Sequence, residues 1–385
     1  MAAIQGTVEA GFEAVAEAFR ANFDDQGEVG AAVCVYVGGR PVVDLWGGVA
    51  DAATARPWRH DTMAVVFSTT KGVTAACVHL LVERGRIDLD APVARYWPEF
   101  GAAGKAAIPV RWILSHRAGV PAVERELTRA EVFAWHPVVR AIAAQTPIWE
   151  PGTQHGYHVR TYGWILGELV RRVTGMTVGQ FLAHELAAPL GLDFYVGLPA
   201  ALEPRVATMY TAPPPTDPAQ IEIMARFMGP GTLLGRALNG PADLAYGDVW
   251  NSHALHAAEI PSSNGIGTAR ALARLYAALI GPVDGVRLLS AETVDAACRV
   301  QSEGSDAVLI LPTRFGLGFM LPPALGLDCP ASCFGHPGAG GSLAFADPTR
   351  GVAFAYVMNQ MQLGLAGDER SRRLVRALYA ALSSA

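Results

Sequence analysis

Phe67-Ser68-Thr69-Thr70-Lys71-Gly72-Val73 places a serine three residues before a lysine at the start of a helical pattern. Positions i and i+3 share a helix face, so the lysine amine can reach the serine hydroxyl. A serine hydroxyl is a weak nucleophile; a nearby cation favours its alkoxide, and a neutral lysine can accept its proton directly. The helix N-terminus adds a positive dipole end at the same place. The spacing alone also suits a capped surface helix with a solvated lysine. Its setting separates the two readings: Met63 to Phe67 before it and Val73 to Val82 after it are apolar. Lys71 is therefore expected to be buried, and burial disfavours the ammonium form.

Moving outward, the central chain reads as helices at Lys71–Arg84, Thr161–Thr174, Val178–Ala188 and Ala269–Ile280, each stopped by Gly or Pro. The ends read differently. Ala31–Val37 and Pro41–Trp46 are apolar, β-branched runs joined by Gly38, Gly39 and Arg40, a hairpin signal. Ser342–Ala346 and Val352–Met358 flank the turn Asp347-Pro348-Thr349-Arg350-Gly351. Amphipathic helices are expected at about Val8–Phe23 and Asp368–Leu382, and irregular loops at Thr211–Pro218 and Gly229–Gly240. Strands at both termini and helices between them predict one antiparallel sheet built from the two chain ends, with a helical lobe inserted.

Composition limits the partners. The 385 residues carry 30 Lys+Arg against 35 Asp+Glu, a net charge of −5, which gives no electrostatic footprint for nucleic acid or an anionic membrane. Val73–Val82, the longest apolar stretch, is broken by His79 and too short to span a bilayer, so no membrane insertion is expected. The five cysteines are odd in number and scattered, and the N-terminus lacks a basic and an apolar signal region. A cytoplasmic location is the expectation.

Four blocks in order carry a resemblance: FSTTKGVTA from Phe67, Trp112-Ile113-Leu114-Ser115-His116-Arg117-Ala118-Gly119-Val120-Pro121, Glu150-Pro151-Gly152 leading to Tyr157, and Gly335-His336-Pro337-Gly338-Ala339-Gly340-Gly341-Ser342. Together they resemble the serine β-lactamase and penicillin-binding-protein superfamily, and within it the family VIII carboxylesterases related to class C β-lactamases. The resemblance implies an α+β, two-lobed fold forming a single unit over residues 1–385. Its antiparallel sheet, flanked by helices, would draw on about 1–65 and 280–385, and a mainly helical lobe on about 66–279. It implies Ser68 as nucleophile, Lys71 beside it, and Tyr157 as proton shuttle provided lysine cations lower its phenol pKa. The backbone N–H groups of Ser68 and Ala339 would form the oxyanion hole. His336, Gly338, His158 and Val159 are candidate pocket residues. Pro337, with no N–H, fits an edge strand bordering a cleft.

Departures from the family pattern bear on substrate. Tyr157-His158-Val159 stands where β-lactamases have Y-x-N, and His336 stands where they have the lysine of K-T-G. Both changes weaken recognition of an anionic amide and favour a neutral ester. The expected reaction is hydrolysis of small or short-chain carboxylic esters, with no cofactor, no metal and a small-molecule partner; a homodimer is allowed. Trp149, Phe227, Met228, Trp250 and Phe319 would suit an apolar group in the cleft. The alternatives are an acyltransferase, an amidase or weak β-lactamase sharing the acyl-enzyme, or a catalytically silent binding module. Three rival signals are weaker. Gly340-Gly341-Ser342-Leu343-Ala344 nearly matches a nucleophile elbow but lacks a following helix. Cys329, Cys333 and His336 lack a fourth metal ligand. Gly265-Ile266-Gly267 lacks the third glycine of a dinucleotide loop.

Overall fold

The computed structural model describes residues 3–326, 328–364 and 367–384. Strands β1 (Ile4–Val8), β2 (Gly30–Val37), β3 (Arg40–Asp51) and β4 (Arg56–Pro57) open the chain, and β10 (Phe334–Pro337), β11 (Leu343–Asp347) and β12 (Val352–Met358) close it. These seven form one antiparallel sheet in the order β1-β3-β2-β12-β11-β10, with β4 on β3. Chain ends about 300 residues apart therefore meet at β2 and β12, where Val33 faces Tyr356 and Val35 faces Phe354. The β2–β3 register pairs Val37 with Arg40. Gly38 and Gly39 thus form a two-residue turn, with φ of 57° and 78° that L side chains rarely adopt.

Two small sheets complete the strands: β5 (Ala64–Val65), β6 (Phe194–Tyr195) and β7 (Ile266–Gly267) in one, and β8 (Ser302–Ser305) with β9 (Pro312–Phe315) in the other. The helices that matter for the site are α1 (Glu13–Asp25), α2 (Thr70–Glu83), α3 (Thr161–Thr174), α4 (Pro218–Met228), α5 (Leu233–Asn239), α6 (Ala269–Ile280) and α7 (Glu369–Ser384).

Both faces of the main sheet are buried, which explains why its central strands read as unbroken apolar runs. Val33, Val35, Phe345, Phe354 and Tyr356 point to one side with residues of α1 and α7. Cys34, Tyr36, Ala353, Ala355 and Val357 point to the other, with α6 and the helical interior. α6 packs on β2, β11 and β12. The boundary drawn near residue 280 thus falls at the far end of a helix that lies on the sheet.

The second hairpin, α3, α6 and α7 form within a residue or two of their expected spans, while in the first hairpin β3 runs on to Asp51, five residues past the expected Trp46. Three segments differ. The helix expected from Val8 begins at Glu13, and Ile4–Val8 is instead an edge strand on β3. The helix expected over Val178–Ala188 passes through a π-helical turn at Ala183–Ala187. Gly229–Gly240, expected irregular, contains α5, which Thr232 caps by accepting the Gly235 N–H at 2.9 Å. Among the described residues no helix is long and apolar enough to cross a membrane.

Candidate active site

Ser68 lies on the turn that enters α2, with its Oγ 3.1 Å from Lys71 Nζ. The turn is strained, since Phe67 has φ of 45°, a left-handed conformation costly for a bulky side chain. Packing holds it: the Phe67 ring lies 5.0 Å from Tyr246 and 4.9 Å from Trp250 between centroids. Thr70 Oγ1 donates to the Phe67 carbonyl at 2.5 Å and accepts the Gly265 N–H at 2.9 Å.

Lys71 is 0% exposed. Its amine also reaches the carbonyls of Val159 at 2.7 Å and Ser262 at 3.0 Å, and lies 4.7 Å from the Tyr157 ring centre. Burial, aided by the Arg160 cation, drives its pKa well below 10.5. Arg160 is itself enclosed, its Nη2 donating to the carbonyls of Leu238 at 2.6 Å and Leu244 at 2.8 Å.

Tyr157 enters the same cluster from the loop before α3. Its N–H donates to Asp306 Oδ1 at 3.0 Å, an oxygen that also accepts the Val308 and Leu309 N–H groups at 2.9 and 2.8 Å. Its ring stacks on Phe315. The expectation that lysine cations lower the phenol pKa is corrected: burial pushes it up, and the hydrogen bond with Ser68 opposes only in part. Burial is the largest cause for both groups, raising the Tyr157 phenol while lowering the Lys71 amine, and the Arg160 cation opposes it only in part at Tyr157.

His336 completes the group, with Nε2 3.4 Å from the Tyr157 hydroxyl and Nδ1 2.7 Å from the Pro337 carbonyl. That network assigns the proton to Nδ1 and leaves Nε2 to accept from Tyr157. Burial pushes the His336 pKa down to about 3, so the ring is neutral. It stands on β10, an edge strand that ends at Pro337.

Ala339 follows that edge. Its N–H and that of Ser68 are the two donors expected to form the oxyanion hole, and among the described residues neither is seen donating to a turn, loop or side-chain acceptor. Ser342 ties the two turns together: its Oγ donates to the Val66 carbonyl at 2.7 Å and lies 3.1 Å from Thr69 Oγ1. Ser342 is 0% exposed and is followed by a strand, not a helix, unlike an elbow nucleophile. A second brace comes from Arg370, whose Nη2 donates to the Gly340 carbonyl at 2.7 Å.

The remaining candidates sit differently from a simple lined pocket. A Cβ on Gly338 would lie 2.1 Å from Ser342 Oγ and 2.3 Å from the Val66 carbonyl oxygen, so its backbone abuts the nucleophile turn. His158 is corrected from pocket wall to strut: fully buried, it has Nδ1 2.6 Å from the Gly156 carbonyl, while Nε2 accepts the Val120 N–H at 3.1 Å. Val159 acts through its carbonyl, which holds Lys71. The sequence reading missed Asp306, Arg160 and Arg370. Each is a charged residue beside loops or a helix start, and no spacing marks it as buried.

The Beta-lactamase family profile matches residues 13–379. The esterase/beta-lactamase LipL of Mycobacterium tuberculosis is 39% identical over 369 residues, covering 92% of this chain and 83% of its own. The crystal structure of a family VIII carboxylesterase superposes with a TM-score of 0.90 at 40% identity, over 98% of this chain and 100% of that one. A penicillin-binding-protein homologue from Caulobacter crescentus gives 0.87 at 40% identity, with the same coverage of both chains. The chain belongs to the beta-lactamase family, and within it to the family VIII carboxylesterases.

Proposed function

We propose that the protein hydrolyses small, neutral carboxylic esters through an acyl-enzyme on Ser68. The observation that carries the reading is the buried Lys71 amine 3.1 Å from the Ser68 hydroxyl, in surroundings that disfavour its charge. As a neutral amine its two N–H bonds serve the Val159 and Ser262 carbonyls, leaving the lone pair for the Ser68 proton. Ser68 Oγ bonds to the ester carbonyl carbon as that proton passes to Lys71, and the N–H groups of Ser68 and Ala339 receive the oxyanion. The bond to the alcohol then breaks. The departing oxygen takes the Tyr157 hydroxyl proton, and Tyr157 recovers one from Lys71. Water attacks the acyl carbon, gives a proton to Lys71, and the released Ser68 oxygen takes it back.

Neutral esters fit better than anionic amides because the position of the K-T-G lysine holds the neutral His336. The similarity to a family VIII carboxylesterase supports esters as the substrate class, and LipL is named as both an esterase and a beta-lactamase. The active site would lie where the sheet edge at β10 meets the helical lobe at α2, within one catalytic unit.

Mass spectrometry after treatment with a fluorophosphonate tests the reading. A single adduct on Ser68 is expected; an adduct on Ser342, or none, overturns it. Gly338→Ala is expected to lower kcat about a hundredfold or more, the scale of losing one oxyanion donor, because the added methyl pushes the two turns apart. Steady-state kinetics with p-nitrophenyl acetate checks it, and an unchanged kcat would separate the Gly338 turn from the chemistry.

A further inference from the structure

Arg160 is 2% exposed, and the hydrogen bonds of its guanidinium go to carbonyl oxygens: Nε and Nη2 donate to Leu238 at 3.1 and 2.6 Å, and Nη2 to Leu244 at 2.8 Å. Its Cζ lies 5.0 Å from the centre of the Trp250 ring. Trp250 and Phe319, read from the sequence as cleft residues, are core, and Trp250 is the face on which the guanidinium rests. Among the described residues no carboxylate pairs with Arg160. Arg370, just as enclosed, meets both Glu28 and Asp368. A buried cation without a counter-ion costs stability, so its retention calls for a function. Burial lowers the Arg160 pKa only to about 10, and the group stays charged at neutral pH.

Its surroundings supply that function. Val159, the preceding residue, gives Lys71 one carbonyl, and Ser262, which gives the other, donates its hydroxyl to the Arg160 carbonyl at 2.9 Å. The other titratable groups around the amine are neutral at pH 7. Tyr157 and Tyr162, whose ring centres lie 4.7 and 6.0 Å from Nζ, are pushed up by burial. Burial pushes His336 down to about 3, His158 to about 4 and His116 well below 6.5. The Asp306 carboxylate bears on Tyr157, and Arg160 is the charge that bears on Lys71. A lysine at its ordinary 10.5 would be neutral in only about one molecule in a few thousand at pH 7. The guanidinium opposes an ammonium at Lys71, and it favours the phenolate that Tyr157 becomes on giving up its proton.

We propose that Arg160 is a positioning residue of the catalytic group, a fixed and unpaired guanidinium that moves the proton taken from Ser68 off Lys71 and on through Tyr157 to the departing alcohol. The proposal rests on the ester-hydrolase reading. In the forward step the Tyr157 O–H bond breaks, its proton passes to the alcohol oxygen, and the phenolate takes the proton that Lys71 received from Ser68. Arg160 touches none of the reacting atoms; its charge lowers the cost of each proton transfer away from the lysine.

The pH dependence of kcat/KM for p-nitrophenyl acetate tests it in wild type, Arg160→Gln, Arg160→Lys and Trp250→Phe. Arg160→Gln keeps an amide N–H for the Leu238 and Leu244 carbonyls and loses the charge. Arg160→Lys keeps a charge and loses the fork. Trp250→Phe loosens the same bracket, since Trp250 Nε1 donates to the Leu244 and Ala245 carbonyls, each at 3.2 Å, and leaves the guanidinium in place. In Arg160→Gln the inflection is expected to move up by about one pH unit or more, a loss of about tenfold on the rising limb, the scale of one nearby charge. In Arg160→Lys and Trp250→Phe it is expected to stay at the wild-type pH. Urea unfolding accompanies each variant, and Arg160→Met stands in for Arg160→Gln if the latter does not fold. An inflection unmoved in the uncharged variant, or moved as far by Arg160→Lys or Trp250→Phe, overturns the role of Arg160, while wild-type turnover and an adduct on Ser68 keep the hydrolase reading. No ester turnover by wild type together with no fluorophosphonate adduct on Ser68 overturns both.

Discussion

Ser68→Ala is expected to lower kcat/KM for p-nitrophenyl acetate about ten-thousandfold or more, since no acyl-enzyme can form. Lys71→Ala is expected to cost about a hundred- to ten-thousandfold, the range of a positioned general base. The two differ in a way that a simple loss of structure would not reproduce. Lys71 is held well below 10.5 by burial and the Arg160 cation, so it is protonated at low pH and free to accept as pH rises through that lowered pKa. Wild-type kcat/KM is therefore expected to climb with pH and level off below the ordinary lysine range. In Lys71→Ala that inflection disappears and the residual rate follows hydroxide, while Tyr157→Phe lowers kcat and keeps the inflection. A pH–rate profile for the three proteins decides it: an inflection that survives in Lys71→Ala belongs to another group and removes Lys71 from the base role.

Local patterns made the hairpins and the nucleophile turn legible in the sequence. Glycine-bearing turns, apolar β-branched runs and an S-x-x-K step at a helix start are all set within a few residues. Lys71 could be assigned to the interior because its flanks on both sides are apolar. What could not be read is what depends on distant segments. Asp306 orients the Tyr157 backbone across 149 positions of sequence. Ser262 lends Lys71 a carbonyl from 191 positions away. Val159 and His158 illustrate the same limit: as neighbours of Tyr157 they read as cleft residues, yet one serves through its carbonyl and the other as a strut. The sign of the Tyr157 shift was also beyond reach, because it depends on how deeply distant segments bury the phenol.

Arg370→Met is expected to destabilise the fold by about 3–5 kcal/mol, the scale of leaving one partner of a buried ion pair uncompensated. Arg370 and Glu28 are both 0% exposed at the side chain and meet at 3.0 Å between Nη1 and Oε1. Tyr356 donates to the other carboxylate oxygen, and Arg370 also serves Asp368 at 2.7 Å and the Gly340 carbonyl. Removing the guanidinium strands Glu28 and frees the turn that carries Ala339, so stability and catalysis fall together. Desolvation already pushes Glu28 up to about 7 against the pull of Arg370. A carboxyl whose folded pKa lies above its unfolded 4.5 keeps its proton longer in the native state, so its contribution to stability is full below pH 4.5 and declines as pH rises toward 7. Without Arg370 that decline extends to higher pH and deepens. Urea unfolding of wild type, Arg370→Met and the double variant Arg370→Met/Glu28→Gln across pH 5 to 8 measures each step. The double variant is expected to recover much of the stability, because the stranded charge is gone, but not the lost kcat, because the Gly340 carbonyl still lacks its donor. Recovery of both would reduce Arg370 to a charge partner of Glu28 with no hold on the oxyanion turn.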